Sequence, residues 1–207
     1  MTDMVLHWSP RSPFVRKVMI AAHELGLADQ LTLRRTIVRM SEPNPDLLAD
    51  NPLSKIPTMV LSDGAVLFDS GVICEYLDLR AGGNRLLPPH GEPRIRELAR
   101  HALATGLLDV LILWRNERDK PEGRQTPALL EAFSLKTHAS LAQMERDAAP
   151  LGAGVLSLSQ IAVGCCLSYL DFRFGSFAWR EEFPLLAPWS RQFEARPSAR
   201  AAEIVDA

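Results

Sequence analysis

Ser9 and Ser12 each stand before a proline in the run Ser9-Pro10-Arg11-Ser12-Pro13-Phe14-Val15-Arg16-Lys17, at the point where an apolar strand-like segment gives way to a helical one. Proline is favoured as the first residue of a helix because its missing N–H has no partner there, and a preceding serine can accept a hydrogen bond from an orphan amide. Ser12 is therefore the expected N-cap, a hydroxyl at the positive end of a helix, where negative charge is favoured. Asp69 and Ser70 form a second constellation of this kind. A serine at a helix start offers a hydroxyl and a backbone N–H to a carboxylate, and an adjacent aspartate can face an ammonium; the same pair also reads as a plain helix cap. Ile56-Pro57 opens a short strand, and from its residues alone reads as an ordinary proline at a sheet edge.

The elements that carry these residues follow from periodicity. Met4, Val5, Leu6 and Trp8 suit a buried strand, and Phe14, Val15, Val18, Met19, Ala22 and Leu25 recur at helical spacing up to Gly26, a left-handed stop. Leu31, Leu33 and Ile37, alternating with Thr32, Arg34 and Thr36, predict a second strand with one solvated face. Residues 41–53 read as a loop with at most a helical turn near Asp46 to Ala49. Pro57 to Leu61 and Val66 to Phe68 predict a hairpin around Asp63-Gly64. Asp69-Ser70 then caps a helix to about Arg80 with Val72, Ile73, Tyr76 and Leu77 on one face.

A Gly- and Pro-rich stretch, residues 81–91, separates this mixed half (1–80) from a half without strands (92–207). Ile95, Leu98, Ala102, Leu103, Leu107, Val110, Leu111 and Trp114 predict a long helix ending near Asp119, and a further helix runs to about Asp147. Ser157-Leu158-Ser159-Gln160 fits a capping box ahead of the apolar Ile161, Ala162, Leu167 and Tyr169. A last helix is expected from Pro184 to Ala195. Trp114, Arg115 and Arg118 read as a core tryptophan with two arginines on a solvated face, or as part of a ligand pocket.

Composition narrows the partners. With 23 Lys plus Arg against 25 Asp plus Glu, the formal charge of -2 gives no electrostatic reason to expect nucleic acid or an anionic membrane. No apolar run approaches the ~20 residues of a membrane helix, and the expected location is the cytoplasm. Cys74, Cys165 and Cys166 show no metal-ligand or redox spacing and read as reduced core residues, so no metal is expected.

Four separated features coincide in one order: Ser12 to Lys17 (SPFVRK), Asn51 to Pro57 (NPLSKIP), Phe68 to Ser70 (FDS), and the all-helical second half with Ser157 to Gly164 (SLSQIAVG). Together they resemble the cytosolic glutathione transferase superfamily. Ser12 matches a serine-type, tau-like or related bacterial pattern; omega-type members carry cysteine there. The resemblance implies an α/β thioredoxin-like N-terminal domain (βαβ-ββα), an all-α C-terminal domain, glutathione as co-substrate, a small electrophile as second substrate and a homodimer.

It also assigns roles. Ser12 would donate a hydrogen bond to the glutathione sulfur, with Ser9 as the rival, since some members place the serine earlier. A free thiol with pKa about 8.5 is only about 3% thiolate at pH 7, and lowering it by ~2 units makes roughly three-quarters nucleophilic. Ile56-Pro57 would be cis and turn the Ile56 N–H and C=O toward the cysteinyl backbone as an added strand. Lys55 would meet a peptide carboxylate, and Asp69 and Ser70 the γ-glutamyl end. Arg16 would either serve the motif or tie domains or subunits together. The competing readings are a glutathione-transferase-fold binding or regulatory protein, resembling the stringent starvation proteins, and a thiol-disulfide reductase. The reductase needs a cysteine where Ser12 stands.

Overall fold

The computed structural model describes residues 4–148 and 155–206. Strand β1 (Met4–Trp8) lies centrally in a four-stranded sheet of order β2-β1-β3-β4, flanked by β2 (Leu31–Arg35) and β3 (Thr58–Leu61), with β4 (Val66–Leu67) outside β3. β1 and β2 run parallel, joined by helix α1 (Pro13–Leu25), while β3 is antiparallel to both β1 and β4. Ser12 caps α1 as expected, and Gly26 ends it at φ 71°, a left-handed turn that is cheap only without a Cβ. Helix α2 (Pro45–Asp50) fills the loop before β3, and α3 (Ser70–Arg80) follows β4 and packs on α1.

The second half is all helix: α4 (Gly91–Arg118), α5 (Pro127–Arg146), α6 (Leu158–Arg173), α7 (Trp179–Glu182), α8 (Leu186–Glu194) and α9 (Pro197–Ala201). α6 is the buried axle, packed on α4, α1 and α8. Its capping box forms in both directions between Ser157 and Gln160, and Glu97 of α4 accepts from the Ser159 amide at 2.6 Å, tying the start of α6 to its neighbour. Gly164 is required by packing, since a Cβ there would lie 2.3 Å from Cζ of Phe193 on α8. Cys74, Cys165 and Cys166 are buried and unpaired, and burial pushes the Cys74 thiol up to about 12 and Cys165 to about 11.

Three expectations are corrected. β2 stops at Arg35, and Leu33 and Ile37 are exposed while Thr36 is buried. The Thr36 amide donates to the Trp8 carbonyl and its hydroxyl meets His7, so a polar contact reverses the facing that alternation predicts. Val72 and Ile95 are exposed, because α3 and α4 turn those positions away from the core. The expected last helix is α8 alone, preceded by α7 and followed by α9, since Arg196-Pro197 restarts the chain at a new N-terminus.

Candidate active site

Register decides where the predicted residues meet. His7 of β1 faces Thr58 of β3, and Met59 faces Leu67 of β4. The C-terminal end of β1, the N-terminal end of β3 and the C-terminal end of β4 therefore share one end of the sheet. The turns bearing Ser9 and Ser12, Lys55 to Pro57, and Asp69-Ser70 all open there, with the N-termini of α1 and α3 beside them.

Ser12 is half-buried, and its Oγ accepts from the Val15 amide at 3.2 Å. A hydroxyl so engaged keeps its own proton to donate to a second group. Ser9 belongs to the same turn: its carbonyl accepts from the Ser12 amide at 3.3 Å and its Oγ from the Arg11 amide at 3.4 Å. The Ile56–Pro57 peptide is cis, and the Ile56 amide and carbonyl bond no other backbone group among the described residues. Lys55 is exposed. Asp69 caps α3 by accepting from the Gly71 amide, and Ser70 is buried with a hydroxyl that finds no hydrogen-bond partner among the described residues. A buried polar atom left so is costly and needs a reason.

Asn51 is the residue of this loop that sequence reasoning passed over. Its buried amide donates to the Lys55 carbonyl (3.1 Å) and the Thr58 hydroxyl (2.9 Å), and its Oδ1 accepts from the Leu53 amide, so it holds the backbone that leads into Ile56. His7, buried in β1, performs the same service with Thr36 and Asp50, each at 2.9 Å. Asn51 reads in the sequence only as the first residue of the Asn51–Pro57 motif, and His7 is hidden within the apolar run of β1.

The helical half also faces the site. His101, Thr105 and Asp109, four residues apart along α4, share one face. Lys17, fully buried, donates from Nζ to His101 Nε2 at 2.9 Å and to Thr105 Oγ1 at 3.1 Å. Burial and then the Lys17 charge push His101 down to about 4, so it is a neutral acceptor. Burial raises the Asp109 carboxyl, with Asp69 adding to the shift and Lys55 and Lys17 opposing it.

Arg16 is a clasp between the two halves. Its guanidinium forks onto Glu194 (3.2 and 2.8 Å) and also donates to the carbonyls of Ala202 and Ala199. Arg115 and Arg118 are not a solvated face: Arg115 donates to the Tyr169 hydroxyl at 3.1 Å and Arg118 to the Arg173 carbonyl at 2.7 Å. Trp114 is half-buried against Phe174 and Phe177. A cavity of about 80 Å³ runs from Ser9 and Ser12 past Arg16 to Ala201, Ala202 and Glu203. A wider groove beside Pro88, Glu92 and Arg96 touches none of these groups.

A small mixed sheet with three polar turns at one end, followed by an all-helical half, defines the class: a thioredoxin-like domain joined to an all-α domain. The chain belongs to the glutathione transferase superfamily. Residues 11–80 match the family described as glutathione S-transferase, N-terminal domain, and residues 127–192 the corresponding C-terminal domain. The chain is 30% identical to an uncharacterized GST-like protein, YibF, of Escherichia coli K12, over 94% of this chain and 96% of that one. It superposes with TM-score 0.93 on a glutathione transferase family member from Pseudomonas fluorescens Pf-5 with bound glutathione, at 37% identity over 98% of this chain and 99% of that one. A second Pf-5 structure, with bound S-(propanoic acid)-glutathione, gives TM-score 0.89 at 35% identity over 98% and 100%. Among the described residues no helix is long and apolar enough to cross a membrane, and no group of His, Cys, Asp and Glu is placed to hold a metal ion.

Proposed function

We propose that this chain is a glutathione transferase that binds glutathione across the sheet end and ionises its thiol at Ser12 for attack on a small, largely hydrophobic electrophile. The observation that carries this reading is the half-buried Ser12 hydroxyl at the α1 N-terminus, beside the unpaired Ile56 backbone and the orphaned Ser70 hydroxyl. A tripeptide thiol satisfies all three. Its cysteinyl backbone takes up the Ile56 N–H and C=O, its γ-glutamyl carboxylate the Ser70 hydroxyl, and its ammonium faces Asp69; Lys55 is in place for the glycyl carboxylate. The glutathione-bound relatives support the ligand, and the S-(propanoic acid)-glutathione complex supports a product formed at sulfur.

Ser12 and the α1 N-terminus act together on the thiolate. A helix end contributes ~0.3–1 kcal/mol when exposed and up to ~2 when partly buried, so it falls short of the about 2.7 kcal/mol that a ~2-unit shift needs, and the hydroxyl supplies the rest. The role such chemistry serves is detoxification, in the cytoplasm, where three unpaired cysteines suit a reducing environment. The functional unit is a homodimer. The deciding experiment is the thiolate absorbance of bound glutathione against pH, for wild type, Ser12→Ala and Ser9→Ala. A depressed thiol pKa in wild type that Ser12→Ala raises supports the enzyme. An undepressed thiol with no turnover of any generic electrophile favours a binding or regulatory protein, and damage confined to Ser9→Ala moves the chemistry to Ser9.

A further inference from the structure

Two guanidiniums meet on one carboxylate at the mouth of the Ser12 turn, and a third, Arg115, is linked to them through the Tyr169 hydroxyl. Arg11, in the turn itself, places Nε 3.1 Å from Asp206 Oδ1, and Arg173, at the end of α6, forks onto both oxygens of that carboxylate at 3.0 and 2.9 Å. The hydrogen bond from Arg173, and then the charges of Arg173, Arg11 and lastly Arg115 of α4, hold the Asp206 carboxyl below the usual carboxylate range. The cluster is built rather than scattered. Arg115 and Arg173 both act on the Tyr169 hydroxyl, and Arg118 braces the Arg173 carbonyl. The Arg173 side chain stacks 3.9 Å above Phe172, and its Nε is buried with no hydrogen-bond partner among the described residues. Such forks recognise carboxylates in two-point fashion.

Asp206 is a solvent-facing occupant of these guanidiniums. Its side chain is 56% exposed, and the segment bearing it is tied to the turn by the Val205 amide donating to the Pro10 carbonyl at 3.2 Å. Neither glutathione carboxylate needs this site, because the γ-glutamyl end belongs with Ser70 and the glycyl end with Lys55.

We infer that Arg11, Arg115 and Arg173 form the carboxylate-recognition site for the second substrate, that Asp206 fills it when that substrate is absent, and that the preferred electrophile carries a carboxylate close to the carbon attacked. The inference rests on the transferase reading above and revises its second substrate, from a largely hydrophobic electrophile to one that carries a carboxylate beside its reactive carbon. The carboxylate of the incoming molecule exchanges with that of Asp206, leaving its reactive carbon turned to the sulfur at Ser12.

The test is titration calorimetry with two glutathione conjugates of matched shape, S-(2-carboxyethyl)glutathione and S-(2-carbamoylethyl)glutathione, which differ in charge at the far end. The acid should bind about tenfold or more tightly than the amide in wild type, the usual worth of a charged hydrogen bond. That ratio should fall toward one in Arg115→Gln and in Arg173→Gln. The readout is a ratio, so a general loss of folding or of glutathione affinity does not move it. Asp206→Asn, which removes the internal competitor, should tighten the acid selectively; weaker binding of the acid in that variant would overturn the exchange. If both conjugates bind wild type equally, the carboxylate site is refuted while the transferase reading stands. If neither binds, both fall together.

Discussion

Removing the Ser12 hydroxyl tests the chemistry, and it also removes the α1 N-cap made with the Val15 amide, worth ~1 kcal/mol of stability. Ser12→Ala loses a hydrogen bond to a charged sulfur, worth about 1.5–3 kcal/mol, so conjugation should fall about ten- to 150-fold with glutathione binding largely kept. Steady-state turnover with a generic electrophile, alongside a binding titration, separates the two effects. Asp69 requires a different substitution. Because it caps α3 through the Gly71 amide, Asp69→Ala would also remove a cap worth ~1 kcal/mol. Asp69→Asn keeps the acceptor and discards the charge, and should weaken glutathione about tenfold without lowering the melting temperature. Unchanged calorimetric affinity in that variant would refute the ammonium assignment.

At the scale of elements, the helical half holds α6 against α8 by a close fit that tolerates no added atom. Gly164→Ala drives a Cβ into the Phe193 ring, and such overpacking typically costs about 1–3 kcal/mol, to be read as a lower urea midpoint at unchanged m-value. The α1–α4 contact carries a pH dependence. Folded protein keeps His101 neutral down to about pH 4, whereas an unfolded histidine takes up its proton near 6.5. Unfolding between those values therefore draws in a proton: stability is full above about pH 6.5 and declines as pH falls toward 4, by up to about 3 kcal/mol. His101→Gln should flatten that decline in denaturant melts at pH 7 and 4.5. An unaltered slope would mean that other groups set it.

For the whole molecule, the question is what covers α3 and α4. Val72 and Leu79 on α3 and Ile95 on α4 are exposed apolar side chains, and Arg94 and Glu75 join the two helices between them in an ion pair. A second copy of the chain is the expected cover, giving a homodimer whose mass by light scattering persists on dilution. Leu79→Glu with Ile95→Glu should yield a folded monomer. A monomer mass for wild type across the dilution series would count against the dimer. Within one chain, Arg16 and the Glu24–Arg196 pair already lock α1 to the α8–α9 end, so separation of subunits should not loosen the domains from each other.

The sequence by itself determined the local events. Proline after Ser12, Gly26, Asp63-Gly64, Asp69-Ser70 and the Ser157 capping box each act within a few residues, so turn and cap chemistry placed them without knowledge of the fold. The apolar periodicity of α1 and α6 was equally legible, because both are buried along most of their length. Tertiary structure decided the rest. Burial of Thr36 in place of Ile37 depends on His7, twenty-nine positions away in sequence, and β2 lies at a sheet edge where one strand alone enforces its facing. The Lys17–His101–Thr105 contact, the Arg16 clasp and the Arg11–Asp206–Arg173 cluster each join residues more than eighty positions apart across two domains, on at least one side. No local preference encodes such pairs: a lysine or an arginine at helical spacing reads as solvated face until the opposing domain removes the water and supplies the acceptor.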